Sequence, residues 1–212
     1  MRLIYLHGFR SSSRSFKARL LADRMAALGA ADRFVVPDLP PGPADAIGLI
    51  QASIDPRPED TLVGSSLGGC YATWLAERIG CRAVLLNPAV RPARDLATRV
   101  GLQTGYHDGE SFEFTRDHVD QLRALQVDAI SRPERYFLIA ARGDEILDWR
   151  EMVASYPGAR HLVLPGSDHG LSDFADHQDE VVAFAGFDVG AAPGPAADGR
   201  RRSQANAVRQ AQ

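Results

Sequence analysis

Several short stretches of this chain carry residues able to make and break acyl bonds. The most telling is Thr61-Leu62-Val63-Gly64-Ser65-Ser66-Leu67-Gly68-Gly69, an apolar run that ends in Gly-x-Ser-x-Gly. The pattern asks a strand to stop, turn within a residue or two and start a helix, leaving one side chain strained and pointing outward at the bend. Gly64 and Gly68, two residues either side of Ser66, let the neighbouring backbone pass without Cβ clashes. Ser66 is therefore the candidate nucleophile. Ser65 does not compete, because Val63 stands where its own register needs a glycine. Gly-x-Ser-x-Gly also arises by chance in ordinary turns, so its partners must decide.

A serine hydroxyl is a weak nucleophile at neutral pH and needs a base within hydrogen-bond reach. Histidine, with an unperturbed pKa of ~6.5, takes and returns a proton near pH 7. Among the six histidines, His169 follows the last apolar run in the loop Gly166-Ser167-Asp168-His169-Gly170, where such a base is expected. His107 and His118 lie in or beside an irregular segment, His161 opens a strand and His177 sits on the final helix. His7 precedes the glycine of the first loop and reads as a loop-shaping hydrogen-bonder. The base needs a carboxylate to hold its tautomer. Asp144, after a strong strand and Gly143, gives the chain order Ser, Asp, His; a helix cap or turn is its structural alternative. Asp148 is the nearest rival, and Asp168 adjoins His169 too closely for an in-line contact. A developing oxyanion needs two backbone N–H donors. Leu67, directly after Ser66, and Phe9, in the loop after the first strand, are the expected sources.

The elements that must position these groups are legible as alternating patterns. Apolar runs at Leu3-Ile4-Tyr5-Leu6, Phe34-Val35-Val36, Leu62-Val63, Ala83-Val84-Leu85-Leu86, Tyr136-Phe137-Leu138-Ile139-Ala140 and His161-Leu162-Val163-Leu164 read as buried parallel strands. Helical spacing falls between them: at residues 15–29, more weakly at 44–54, then at 67–79, 117–130, 151–156 and 172–184. The fold class is thus α/β, a mostly parallel sheet with helices on both faces. In such sheets the ligand site lies beyond the carboxyl ends of the strands, and His7-Gly8-Phe9, Ser66, Asn87-Pro88, Gly143-Asp144 and Asp168-His169 all fall there. Residues 89–117 show no clean period and are long for a plain loop, which favours a small lid or a substrate-shaping insertion.

Composition narrows the function classes. The chain has 212 residues, 45% of them hydrophobic, enough for one domain over residues 1–187. The remainder, 188–212, is rich in Ala, Gly, Pro, Arg and Gln and reads as a disordered tail. A net charge of −3 gives no electrostatic reason to expect nucleic acid or an anionic membrane as partner. Cys70 and Cys81 are too few for a disulfide framework and fit a reducing compartment. With no apolar stretch approaching the ~20 residues of a bilayer span and no legible signal peptide, the cytoplasm is the expected location. No metal or cofactor is called for, and the oligomeric state is open. Lys17 is the only lysine in an arginine-rich chain, which suggests a contact that needs a compact ammonium rather than a guanidinium.

Five of these stretches together resemble the YqiA-type esterases, a small bacterial family of α/β-hydrolase fold. They are Tyr5-Leu6-His7-Gly8-Phe9 with the serine-rich segment to Lys17-Ala18, Gly64 to Gly69, Asn87-Pro88-Ala89-Val90-Arg91-Pro92, Gly143-Asp144-Glu145-Ile146-Leu147-Asp148, and Asp168-His169. The resemblance covers residues 1–187. It implies a serine esterase with little or no lid, acting on carboxylic esters and extending to acyl-CoA thioesters, with Ser66, Asp144 and His169 on the family's triad positions. His7, Asn87 and Arg91 are the candidate pocket residues, Arg91 as the partner of an anionic leaving group.

Overall fold

The computed structural model describes residues 1–107 and 109–190. The tail expected from residue 188 therefore lies, past residue 190, outside the described residues. In chain order the elements are β1 (Leu3–Leu6), α1 (Phe16–Ala27), β2 (Phe34–Val35), α2 (Pro43–Leu49), β3 (Thr61–Ser65), α3 (Leu67–Ile79), β4 (Arg82–Leu86) and α4 (Pro92–Leu96). They continue with β5 (Gly101–Thr104), β6 (Ser111–Phe114), α5 (Arg116–Ala124), β7 (Tyr136–Ala141), α6 (Trp149–Ser155), β8 (Arg160–Leu164) and α7 (Gln178–Phe184).

Six strands form one sheet in the order β2-β1-β3-β4-β7-β8, and every pairing is parallel. The four inner strands, β1, β3, β4 and β7, are almost wholly buried because helices cover both faces, whereas the edge strands β2 and β8 are partly exposed. Side chains alternate across them. Leu3, Tyr5, Val63, Val84 and Phe137 face a layer that includes Leu21 and Met25 of α1 and Val181 of α7. Ile4, Leu6, Leu62, Leu85 and Leu138 face a layer with Ile47 of α2, Tyr71 and Leu75 of α3, and Leu122 of α5. β1 lies between β2 and β3, so the chain reverses its direction of winding there. A crevice opens at such a point beyond the strand ends, and the loops after β1 and β3 flank it.

Four segments depart from the expected pattern. The helix expected over 44–54 ends as α2 at Leu49 and continues as a wider turn, Ile50–Ile54. The segment 117–130 is helical only to Ala124, where the Leu125 amide is shared between the Gln121 and Leu122 carbonyls and tightens the last turn. The final helix begins at Gln178, not at 172, because buried Leu171, at φ 52°, and buried Phe174 are seated by a tight turn instead. Residues 89–117 are not irregular: they hold α4 and an antiparallel hairpin, β5–β6. The alternation Ser111-Phe112-Glu113-Phe114 was its signal, with Phe114 buried and Ser111 and Glu113 exposed.

At the β3–α3 bend the packing leaves no room for a methyl group. A Cβ on Gly68 would lie 2.0 Å from the Leu6 carbonyl oxygen, and one on Gly64 would lie 2.3 Å from that of Gly68. Gly48, inside α2, has nothing within 4 Å of its own missing Cβ. Gly68→Ala is therefore expected to cost more than about 3 kcal/mol, whereas Gly48→Ala gains about 0.5–1 kcal/mol from helix propensity. Thermal unfolding of the two variants beside wild type checks both signs.

Candidate active site

Ser66 sits at the bend with φ 53° and ψ −117°, a left-handed conformation that a serine adopts at a cost of about 1–3 kcal/mol. The surrounding backbone holds it there. Its amide donates to the Leu86 carbonyl at 3.0 Å, and its own carbonyl accepts from Gly69 and Ala89, each at 2.9 Å. The side chain is thereby presented above the carboxyl edge of the sheet, at the N-terminus of α3.

His169 Nε2 lies 3.0 Å from Ser66 Oγ, and His169 Nδ1 lies 2.8 Å from Asp144 Oδ2. A carboxylate can only accept, so Nδ1 carries the ring proton and Nε2 is left to accept from the serine hydroxyl. Asp144 is fixed through its other oxygen, which accepts from the Ile146 and Leu147 amides at 2.8 Å each. Its side chain is 0% exposed, against 18% for His169. The rival Asp148 is elsewhere: its carboxylate caps α6 through the Arg150 amide. Asp168 accepts from the Ser172 amide. Glu145, not singled out by sequence, receives the His169 backbone N–H at 3.0 Å and steadies the loop from outside.

The expected donors also meet here. Neither the Phe9 nor the Leu67 amide is engaged among the described residues, and both residues line the same cavity as Ser66 and His169. The loop after β1 presses close, since a Cβ on Gly8 would lie 3.2 Å from Ser66 Cβ. That loop is gripped from above by the hairpin. Phe9 packs edge-on against Phe112 and Phe114 with ring centroids 5.8 and 4.9 Å apart. Arg10 donates to the Thr104 carbonyl at 2.6 Å, and its own carbonyl accepts from Tyr106 at 2.8 Å.

None of the three candidate pocket residues, His7, Asn87 and Arg91, lines the cavity at Ser66. His7 is consumed by structure: Nε2 accepts from the Leu39 amide at 2.9 Å, so Nδ1–H donates to the Gly8 carbonyl at 3.0 Å, and burial holds the ring's pKa below its usual value. It lines a second cavity, beside Asp38 and Leu39, that shares Gly8, Phe9 and Leu67 with the cavity at Ser66. Asn87 is 0% exposed and works as a bolt. Its amide nitrogen donates to the Asp168 and His169 carbonyls at 2.9 and 3.2 Å, and its oxygen accepts from Ala141 at 2.8 Å. Arg91 is exposed at the start of α4 and takes no part in the cavity wall.

The cavity at Ser66 measures about 320 Å³ and is mostly apolar, with Phe9, Phe16, Leu96, Tyr106, Ile146 and Leu147 in its wall. Phe16, Tyr106 and Ile146 are large apolar side chains left exposed, and only their neighbourhood to the motifs could have marked them in the sequence. Three cations, Arg10, Lys17 and Arg99, and one acid, Asp95, complete the polar part of the wall. Lys17 is the unusual member, 8% exposed with its ammonium 2.5 Å from the Gly170 carbonyl oxygen. Burial pushes its pKa down to about 8, against a smaller opposing pull from Asp168 and Asp144.

The sheet, the strained bend and the loop stations define an α/β-hydrolase fold. Solved structures agree with it. A hydrolase-fold protein from Agrobacterium vitis S4 superposes with a TM-score of 0.66 at 20% identity, covering 87% of each chain. The esterase domain of a Rhodothermus marinus protein superposes at 0.61 and 20% identity, covering 87% of this chain and 85% of that one. Est1E from Butyrivibrio proteoclasticus does so at 0.61 and 16%, covering 85% and 84%. Residues 2–186 match the uncharacterised protein family UPF0227, that of the YqiA-type proteins, and the chain belongs to it. Among the described residues no helix is long and apolar enough to cross a membrane.

Two outcomes follow from the bolt and the buried lysine. Asn87→Ala strands the Ala141 N–H and frees the His169 loop, with an expected cost of about 2–3 kcal/mol by denaturant unfolding. For Lys17, the folded pKa of about 8 lies below the ordinary 10.5. Below pH 8 both folded and unfolded chains hold the proton and the burial penalty is present in full; it fades as pH rises from 8 to 10.5. Lys17→Met is expected to melt at or above wild type at pH 7, with a smaller difference at pH 10.

Proposed function

We propose that this protein is a serine hydrolase that cleaves small carboxylic esters through an acyl-enzyme intermediate. The observation that carries the reading is the unbroken hydrogen-bond chain Ser66–His169–Asp144 at the wall of an apolar cavity. Ser66 Oγ attacks the ester carbonyl as His169 Nε2 takes its proton, and Asp144 stabilises the imidazolium that forms. The Phe9 and Leu67 amides, both unengaged, receive the developing oxyanion. His169 then returns the proton to the leaving alkoxide, and water repeats the sequence to release the acid. That proteins named as esterases share the fold supports the reaction class.

The test is direct. The wild-type protein is expected to react with a fluorophosphonate probe and to hydrolyse p-nitrophenyl butyrate; Ser66→Ala should keep its melting temperature, take no label and lose about 10³-fold or more in kcat/KM. Near-wild-type turnover by Ser66→Ala would remove Ser66 as nucleophile. An unlabelled wild-type protein would make this a hydrolase-fold binding protein. Running acyl-CoA thioesters of matched chain length beside the oxygen esters separates a thioesterase from an esterase.

A further inference from the structure

The end of the cavity formed by α1 has a chemistry that ester cleavage alone does not require. Ser15, Phe16 and Lys17 line it together with Ser66 and His169. Ser15 is the N-cap of a 12-residue helix, yet its hydroxyl caps nothing. Its Oγ is sealed from solvent beside the Tyr5 phenol, in a residue 9% exposed, and is not presented to the cavity. The Phe16 and Lys17 amides in the first turn donate to no acceptor among the described residues. A helix N-terminus with free N–H groups carries partial positive charge and accepts anions.

Lys17 adds a full charge at the same place. An ammonium has three donors, and the Gly170 carbonyl takes one. Among the described residues no carboxylate is in ion-pair contact with it: Asp144 is committed to His169 and two amides, and Asp168 to the Ser172 amide. A buried ammonium facing a cavity, without a contacting counter-ion, is costly unless something else supplies the negative charge. Asp95, the one acid in the wall, is held by Arg94 beside Leu96 and Arg99 and keeps one oxygen buried and unbonded. It would repel an anion on its own side.

We propose that the α1 end of the cavity is an anion subsite, in which the Lys17 ammonium and the free first-turn amides hold a carboxylate or phosphate group of the substrate. The ester is then an anionic one, with a short apolar segment between the charged group and the scissile carbonyl. Lys17 is a binding residue in this scheme, and its bond to Gly170 fixes the subsite relative to His169. The assignment of substrate rests on the reading of Ser66 as nucleophile; the binding of an anion does not.

Matched ester pairs test it. On the acyl side the pair is 4-nitrophenyl hydrogen glutarate and 4-nitrophenyl pentanoate; on the alcohol side it is 4-carboxyphenyl butyrate and 4-methylphenyl butyrate. In wild type at pH 7 one anionic ester is expected to exceed its neutral partner by about tenfold or more in kcat/KM, the worth of one charge-assisted hydrogen bond. Lys17→Gln, which keeps a donor for Gly170 but removes the charge, and Lys17→Met should bring that ratio to near one. In parallel, glutarate and inorganic phosphate are titrated calorimetrically into Ser66→Ala and into Ser66→Ala with Lys17→Gln; binding lost in the double variant supports the subsite. If both pairs turn over equally, or if Lys17→Gln slows both members alike, Lys17 only anchors the loop and the subsite is overturned while the hydrolase reading stands. If no ester is cleaved, the hydrolase reading falls, and the titration alone decides: Lys17-dependent binding upholds the subsite, and absence of binding at millimolar concentration removes it.

Discussion

Everything in the site depends on one steric constraint, the contact between the β3–α3 bend and the end of β1. The Leu6 carbonyl occupies the space where a side chain at position 68 would be, and the Gly68 carbonyl does the same at position 64. The helix can therefore start directly against the sheet, and Ser66 is forced into a backbone conformation that serine avoids. Three backbone hydrogen bonds, to Leu86 and from Gly69 and Ala89, over-determine that conformation. Strain of this kind persists only where the surroundings leave no alternative, and here they come from two neighbouring strands at once.

The polar groups around this bend fall into two kinds. His7, Asn87 and Glu145 spend their hydrogen bonds on backbone and so fix the shapes of the loops. Lys17 and the Phe9 and Leu67 amides keep unspent donors in the cavity wall. Sequence cannot tell the two kinds apart, because the difference lies in which backbone groups the fold brings near. Asn87 shows the point: a polar residue at the carboxyl end of a central strand reads as a pocket residue, but it is sealed beneath the His169 loop.

Much of the fold was nonetheless legible. The inner sheet strands are dominated by apolar residues, a pattern that survives because both of their faces are covered, and the stations of Ser66, Asp144 and His169 follow from strand order. What escaped was set by less regular physics. The β5–β6 hairpin is short and half solvated, so only Phe112 and Phe114 carry its period, and they pack on Phe9 at the edge of the core layer that Phe114 joins. The shortened α5 and α7 end or begin where an amide is shared between two carbonyls or a left-handed residue intervenes, and side-chain periodicity does not report such events. Lys17 was conspicuous only by being the single lysine; its burial and its Gly170 partner, 153 positions away, needed the tertiary structure.

The span from Leu86 to Ala89 acts as a common datum. Ser66 is referenced to it through Leu86 and Ala89, and the His169 loop through Asn87, which also ties it to the last residue of β7. The distance between serine and imidazole is thus measured along one strand end in the middle of the sheet. The hairpin and α4 enter the chain just after this span and touch the site through Phe9, Arg10 and the cavity wall. They behave as a cassette: exchanging it between relatives would reshape what the cavity admits without resetting the alignment of serine and imidazole beneath it.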